Sequence, residues 1–268
     1  MFQPVVPLSG LAGWSFLQKT LPAQKAAFDS SAPLTRDTTY FEAEIGKIQT
    51  AEELVADRRL LRVTLGAFGL QDDINSRYLI KTILEEGTGD DAALANRMSD
   101  PRYATLAEAF GFDKIEGPRI TEPGFASEIT TKYLERQFEV AVGTQDEAMR
   151  LALNAQRELS SIAASGETGR AQWYRILGTP PLRSVFETAL GLPDGFGQLD
   201  VDRQADIFEE KTKQKFGIEA FTDFQDNTLR EEFIKGFLVR EQIKDFGFQS
   251  SSSIALSLLQ AGQSQRFF

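Results

Sequence analysis

Three glutamates on one predicted helix are the side chains whose type and spacing come nearest to a reactive site. Glu128, Glu135 and Glu139 recur at close to the helical repeat, so their carboxylates could share a face and hold a metal ion. The carboxylate metal site of helical bundles also requires Glu-x-x-His pairs, and the chain contains no His. We therefore interpret the three carboxylates as a solvated acidic face and predict no metal site.

The chain lacks the residue types on which most other catalytic and metal-binding sites depend. The chain has neither His nor Cys, which excludes Ser-His-Asp and Cys-His catalysis, Cys/His zinc sites, His-ligated haem and iron–sulfur clusters. Residues 87–92 spell a dinucleotide-binding pattern and residues 245–247 spell the kinase Asp-Phe-Gly, but both follow predicted helices and lack the accompanying strands and loops. We predict a non-enzymatic protein with no catalytic residue and no cofactor.

The composition favours protein partners over nucleic acids or lipids. The net charge is −10, whereas phosphate binding depends on clustered Lys and Arg. Phe accounts for 21 residues against five Tyr and two Trp, a bias that suits packing in a core or on a partner surface. No run of about 18 apolar residues is present, so we expect no membrane insertion.

A recurring helix-ending pattern organises the chain. An apolar residue, a Gly and a second apolar residue follow one another at the end of an amphipathic stretch, and the Gly can adopt the left-handed conformation that closes a helix. The pattern predicts an all-α fold, a multi-helix bundle of about eight to ten helices. It occurs at Gly69, Gly111, Gly191, Gly217 and Gly247.

The first of these stops ends a predicted central helix. Thr50 and Glu53 fit a capping box, which starts the helix at the following residue. The apolar residues beyond the box project over more than one face. We therefore predict one helix over residues 51–68, buried on two sides and closed by Gly69.

The spacing of apolar residues in this helix repeats later in the chain. The repeat predicts two similar helical halves, residues 40–122 and 123–248, within one helical domain. The alternative is that apolar-Gly-apolar is simply how amphipathic helices end in a packed bundle, and the sequence leaves both interpretations open. The matching positions are Leu60, Val63, Ala67, Phe68, Gly69 and Leu70 against Leu182, Val185, Ala189, Leu190, Gly191 and Leu192.

The two ends of the chain carry the predicted interaction residues. Residues 1–39 are rich in Pro, Gly, Ser, Thr and Ala, so we expect an extended or partly disordered arm, without the features of a Sec signal peptide. Residues 249–268 combine a Ser run with apolar residues, which predicts either a flexible tail that folds on a partner or a frayed end. The candidate interaction residues are Trp14, Phe16, Leu17, Ile254, Leu256, Leu258, Leu259, Phe267 and Phe268.

Several short segments carry a family resemblance. They are Ala-Glu-Glu-Leu at 51–54, Asp-Arg-Arg-Leu-Leu at 57–61, Ala-Phe-Gly-Leu at 67–70, Asp-Pro-Arg-Tyr at 100–103, Ala-Phe-Gly-Phe at 109–112, Gly-Leu-Pro at 191–193 and Asp-Arg-Gln at 202–204. In these segments the chain resembles a family of alphaproteobacterial proteins of unknown function, often encoded among flagellar basal-body genes. The resemblance spans residues 14–242 and rests on structural signatures. It implies a role near the flagellum and identifies no functional residue.

Two hypotheses about function follow. The first is a non-enzymatic, flagellum-associated accessory or structural protein that binds flagellar or basal-body proteins, either in the cytoplasm or after export through the flagellar secretion channel. The alternative is a small hydrolase or ligand-binding protein that uses carboxylates in an acidic cleft between the two halves. A deep pocket with a carboxylate pair of raised pKa would favour the alternative, and exposed apolar patches would favour the first.

Overall fold

The computed structural model describes residues 2–166 and 169–244, and within them the chain is helical, with no strand. The predicted all-α bundle is confirmed, although the thirteen α-helices of the described residues exceed the expected number. Five 3-10 helices, at Ile45–Lys47, Gln71–Asn75, Arg119–Thr121, Asp194–Gln198 and Phe221–Gln225, connect them. The α-helices are α1 (Gly10–Asp29), α2 (Ala32–Glu44), α3 (Ala51–Ala56), α4 (Arg58–Phe68), α5 (Arg77–Glu86), α6 (Leu94–Arg97), α7 (Pro101–Phe110), α8 (Phe125–Gly143), α9 (Glu147–Ala164), α10 (Arg170–Gly178), α11 (Pro180–Leu190), α12 (Val201–Phe216) and α13 (227–244).

The N-terminal residues form two helices of the core, so the extended arm predicted for residues 1–39 is wrong over most of its length. α1 places Trp14 and Leu17 in the core, where no more than 1% of either residue is exposed. The Trp14 Nε1–H donates to Glu231 Oε1 at 2.9 Å, which joins α1 to α13. Pro22 and the glycines of this segment suggested breaks, but burial of large side chains outweighs their low helix propensity.

The predicted central helix over 51–68 is two helices that meet at Asp57. The capping box is confirmed, since the Glu53 amide donates to the Thr50 hydroxyl at 3.2 Å and the Thr50 amide donates to the Glu53 carboxylate at 3.3 Å. Asp57 has a ψ of 104°, which ends α3. Its Oδ1 accepts from the Arg59 amide at 2.8 Å, which starts α4. An Asp side chain that caps the N-terminus of a new helix competes with continuation of the preceding helix.

Four of the predicted helix stops are confirmed, and the fifth, Gly247, lies outside the described residues. Gly69 and Gly191 have φ values of 72° and 62°, a conformation that Gly adopts at little cost. The other two stops share it. The amides of Leu70 and Leu192 each donate to the carbonyl five residues earlier, at 2.8 and 2.9 Å, which is the Schellman arrangement.

Two units, α4 to α8 and α11 to α13, repeat an order of elements and share one apolar core, so the first repeated unit extends beyond the predicted boundary at residue 122. A 3-10 helix follows α4 and α11, and another precedes α8 and α13. Tyr133 and Arg136 lie three residues apart on α8. Phe237 and Arg240 have the same spacing on α13, and both aromatic rings are buried. These correspondences support duplication of a helical unit, while the continuous core makes the two units one body.

α4 crosses α8 closely because a Gly lies at the contact. Gly66 is buried, and a Cβ at this position would lie 2.7 Å from two carbons of the Tyr133 ring. The ring is itself buried and has little room to move. The crossing lies within the first unit, so the packing of that unit depends on the missing side chain.

Replacement of Gly66 by Ala tests this contact. Ala favours a helix over Gly by about 1 kcal/mol, but we expect the overlap with Tyr133 to outweigh that gain and to lower the free energy of unfolding by about 1–3 kcal/mol. Gly46→Ala is the matched control, because a Cβ there meets no atom within 4 Å. Urea denaturation followed by circular dichroism measures both variants. A Gly66→Ala protein as stable as the parent would contradict the close crossing.

Candidate functional site

An open groove, which we call the C-terminal groove, lies between the end of α11, the end of α12 and α13. Its volume is about 660 Å³, enough to receive several side chains of another molecule. Three helices that are separate in sequence line it. The lining residues are Thr188, Ala189, Gly191, Lys215, Phe216, Lys235, Gly236, Val239, Arg240, Ile243 and Lys244.

Apolar side chains form the floor of the C-terminal groove. Gly236 lets α13 approach the ring of Phe216, since a Cβ at position 236 would lie 2.6 Å from that ring. Val239 and Ile243 lie one turn apart on α13 and are 39% and 64% exposed. A row of apolar side chains that is open to solvent is typical of a surface covered by another protein.

Four cations surround this floor in a protein whose net charge is −10. Lys235 and Lys244 lie 3.4 and 3.8 Å from carboxylates on their own helix. Lys215 and Arg240 have no carboxylate within 4 Å among the residues that the structure describes. Partial burial, Arg240 and Lys211 together lower the pKa of Lys215 below its ordinary value. The groove therefore carries positive charge that the described chain does not neutralise.

The end of α11 explains why two of these cations are there. The Lys215 ammonium donates to the Leu190 carbonyl, and the Arg240 guanidinium lies against Gly191, where any side chain would overlap it. The last carbonyls of a helix lack partners within the helix, and the helix dipole is negative at that end. The stop at Gly191 thus attracts both cations.

The end of α4 carries a similar arrangement in the first unit. An Arg102 Nη1–H donates to the Gly69 carbonyl, and the Arg136 guanidinium lies against Gly69. Arg136, however, also donates from Nη2 to Glu158 Oε1 on α9 at 2.6 Å. The arginine of the first unit is paired with a carboxylate, whereas Arg240 in the second unit has no carboxylate within 4 Å among the described residues.

Glu158 belongs to a network of ion pairs between α8 and α9. Arg157 Nη1 donates to Glu158 at 2.6 Å, and Arg157 Nε and Nη2 donate to the two carboxylate oxygens of Glu139 at 2.7 and 3.0 Å. Burial alone would raise the pKa of Glu158, but Arg157 and Arg136 hold it below its ordinary value. Two guanidinium groups thus balance two carboxylates in the interior.

The three glutamates that sequence spacing groups together each have a different partner and differ in burial. Glu128 pairs with Lys132 at 2.6 Å, and Glu135 pairs with Lys25 at 3.5 Å, both partly exposed. Glu139 is buried against α9, so the predicted solvated acidic face is wrong for this residue. An ion pair between two helices leaves no trace in the spacing of either one. Within the described residues, no acidic group is arranged to hold a metal ion.

A polar pocket of about 430 Å³ between the two halves bears on the acidic-cleft hypothesis. Two of its carboxylates, Glu139 and Glu147, are paired with Arg157 and Arg150. Both carboxylates are thus held by guanidinium groups of the same chain, and they do not stand together as an acid–base pair. Burial raises the pKa of Asp29, but this carboxyl does not line the pocket. The pocket offers little for acid–base chemistry.

The structure places the predicted interaction residues in different environments. Trp14 and Leu17 lie inside the core and offer no surface to a partner, whereas Phe16 is 37% exposed. Sequence analysis missed the C-terminal groove, because its cations come from α12 and α13 and only the fold brings them to the end of α11. The remaining candidates lie outside the described residues: Ile254, Leu256, Leu258, Leu259, Phe267 and Phe268.

Comparison with known proteins identifies the family. Residues 67–229, more than half of the chain, match the family described as "Protein of unknown function (DUF1217)". The chain belongs to this family. The predicted membership of a family of unknown function is thus confirmed, while its flagellar setting stays a prediction. No curated protein matches this DUF1217 member.

A solved structure shares the fold of this DUF1217 protein. The X-ray crystal structure of protein AGR_C_984 from Agrobacterium tumefaciens is 24% identical in sequence, with a TM-score of 0.73. The match covers 90% of this chain and 99% of that one. Within the described residues, none of the helices is long and apolar enough to cross a membrane.

Replacement of the two corresponding arginines by Gln should have unequal effects on stability. Arg136→Gln leaves Glu158 with less compensation in the interior, and we expect the free energy of unfolding to fall by about 3 kcal/mol. Arg240→Gln strands no carboxylate and should cost less than about 1 kcal/mol. Urea denaturation of both variants measures the difference. Equal losses would show that the two arginines are in equivalent environments, contrary to the structure.

Asp29 should make stability depend on pH. It ends α1, its Oδ1 is buried without a hydrogen-bond partner, and burial raises its pKa, with Lys25 opposing and Glu135 adding to the effect. The folded state therefore disfavours the carboxylate, so this group lowers stability above its folded-state pKa. The cost disappears as pH falls below the unfolded value of about 4. Asp29→Asn should raise stability at pH 7 but not at low pH in urea denaturation, and a variant less stable at pH 7 would contradict this assignment.

Proposed function

We propose that this protein is a non-enzymatic accessory or structural protein that binds another protein through the C-terminal groove. The observation that carries the proposal is the unneutralised charge of Lys215 and Arg240 beside an exposed apolar floor. A chain with an overall negative charge gains nothing in solubility from such a patch. The patch fits a surface that is completed by a partner.

The composition of the groove fits protein contact better than small-molecule binding. Val239 and Ile243 stand at the surface of α13, where a helix or loop of a partner can cover them. Arg240 beside them offers the guanidinium group that is enriched at the energetic centre of protein interfaces. Lys215, on another helix, would fix the orientation of the partner through charge.

We place the partner among flagellar or basal-body proteins. Support for this part of the proposal comes from the resemblance of segments such as 67–70 and 109–112 to proteins encoded among flagellar basal-body genes. An accessory protein of this kind would act during assembly of the basal body, in the cytoplasm or after export through the flagellar secretion channel.

An affinity purification with the full-length protein tests the proposal. We expect identified rod or basal-body components to co-purify with the parent protein, and Ile243→Asp to reduce their recovery at least about tenfold, because a charge is placed on the apolar floor. Ile115→Asp is the matched control, since Ile115 is fully exposed and outside the groove. Quantitative mass spectrometry measures recovery.

Point variants are preferable here to removal of residues 1–39, because Trp14 and Leu17 belong to the core. Deletion of the gene should alter flagellar number or assembly intermediates. If motility and flagella are unchanged and no flagellar component is recovered, the flagellar part of the proposal is wrong. If Ile243→Asp and Ile115→Asp recover the same partner equally, the groove is not the contact.

A further inference from the structure

The duplicated units allow the C-terminal groove to be compared with a part of the same molecule that is already filled. The alignment of α8 with α13 pairs Arg136 with Arg240 and, three residues further on, Glu139 with Ile243. Both arginines lie against the left-handed glycine that ends the neighbouring helix. The two faces are therefore equivalent positions of the repeated unit.

In the first unit, α9 covers this face of α8. Arg136 donates to Glu158 at 2.6 Å, and Glu139 accepts from Arg157 at 2.7 Å. α9 thus contributes a carboxylate to the arginine and a guanidinium group to the glutamate. Apolar residues of α9, such as Leu153, are buried in the same contact region.

In the second unit, the corresponding face is open. Arg240 has no carboxylate within 4 Å among the described residues, and Ile243 is 64% exposed. Both line the C-terminal groove, into which the described chain places no helix. Lys215 adds a second cation at the same place. Within residues 2–166 and 169–244, the second unit lacks what α9 supplies to the first.

We propose that the C-terminal groove receives an acidic amphipathic helix of the partner protein, in the position that α9 occupies in the first unit. A carboxylate of that helix binds Arg240 as Glu158 binds Arg136, and a second carboxylate reaches Lys215. An apolar side chain covers Ile243, because this position carries no charge to be matched. This inference rests on the proposed function and adds the chemistry of the bound segment.

Charge complementarity favours a partner over the end of this chain as the occupant. Residues 245–268 contain one acidic residue, Asp245, which follows Lys244 directly in the sequence. A segment that neutralises both Lys215 and Arg240 needs at least two carboxylates beside its apolar residues. The segment therefore comes from another molecule that carries an acidic, amphipathic sequence.

A designed peptide serves as the probe, because the partner is unidentified. It alternates Leu and Glu with helical periodicity over about 18 residues, long enough to form a helix on a surface. A second peptide replaces every Glu by Gln. Both carry a fluorescent label, and anisotropy measures their binding to the full-length protein at low and moderate salt. An acidic peptide has no general attraction to a protein of charge −10, so binding reports a local site.

We expect the Leu/Glu peptide to bind at least about tenfold more tightly than the Leu/Gln peptide, with an affinity that falls as salt rises. Arg240→Gln and Lys215→Gln should each weaken binding of the Leu/Glu peptide about tenfold, and leave binding of the Leu/Gln peptide unchanged. Arg97→Gln is the matched control, since Arg97 is exposed on α6 and does not line the groove. Circular dichroism verifies that each variant is folded.

Equal binding of the two peptides, or a Leu/Glu affinity unaffected by Arg240→Gln, would overturn the inference. So would tighter peptide binding in Leu258→Asp or Leu259→Asp, because the groove would then be occupied by the chain itself. A concentration-dependent dimer that Arg240→Gln dissociates would assign the groove to a second copy and would also overturn it.

The outcomes separate this inference from the flagellar proposal. If the Leu/Glu peptide binds through Arg240 but no flagellar protein co-purifies, the chemistry of the groove stands and the flagellar setting fails. If a basal-body component binds the Arg240→Gln variant as well as the parent, and the peptide does not bind, the partner stands and the acidic helix is wrong.

Discussion

The end of a helix at a left-handed glycine is the constraint on which most of this structure depends. α4 ends at Gly69 and α11 at Gly191, and each end leaves carbonyl groups and a negative dipole that must be met by donors. Cations from elsewhere in the chain meet them: Arg102 and Arg136 at the first stop, and Lys215 and Arg240 at the second. The positions of four cations thus follow from two glycines.

The two stops differ in what surrounds the cations. Arg136 is almost enclosed, and a charge in such a place is tolerated only when a carboxylate and further hydrogen bonds accompany it. These groups are Glu158, Arg157 and Glu139, and their ion pairs hold α9 against α8. Arg240 is exposed at the groove, where water can solvate it, so the fold does not require a carboxylate there. A helix that ends at a left-handed glycine is therefore part of a buried helix–helix contact in the first unit and of an open, positively charged surface in the second.

Sequence analysis predicted the features that depend on a few neighbouring residues. The capping box at Thr50 and the stops at Gly69 and Gly191 are local, and so the all-α fold could be predicted. The helix break at Asp57 was missed because the helical apolar pattern runs straight through it. The helix around Trp14 was missed because its stability comes from distant side chains such as Glu231.

The candidate site was not predicted because it also depends on residues that are far apart in the sequence. The burial of Glu139 depends on Arg157, which is 18 residues away on another helix. The groove depends on Lys215 and Arg240 meeting at the end of α11, and no spacing within one helix records that meeting. The predicted interaction residues were instead apolar residues at the two ends of the chain. Two of them, Trp14 and Leu17, are buried in the core.

The short connection between α8 and α9 distinguishes the ion pair of Arg136 from the contact proposed for Arg240. A turn of three residues, 144–146, joins the two helices, so Glu158 is always near Arg136 at a high effective concentration and the junction is permanent. A carboxylate that comes to Arg240 from another molecule is present only at that molecule's own concentration. The proposed contact at the second unit would therefore be reversible and sensitive to salt.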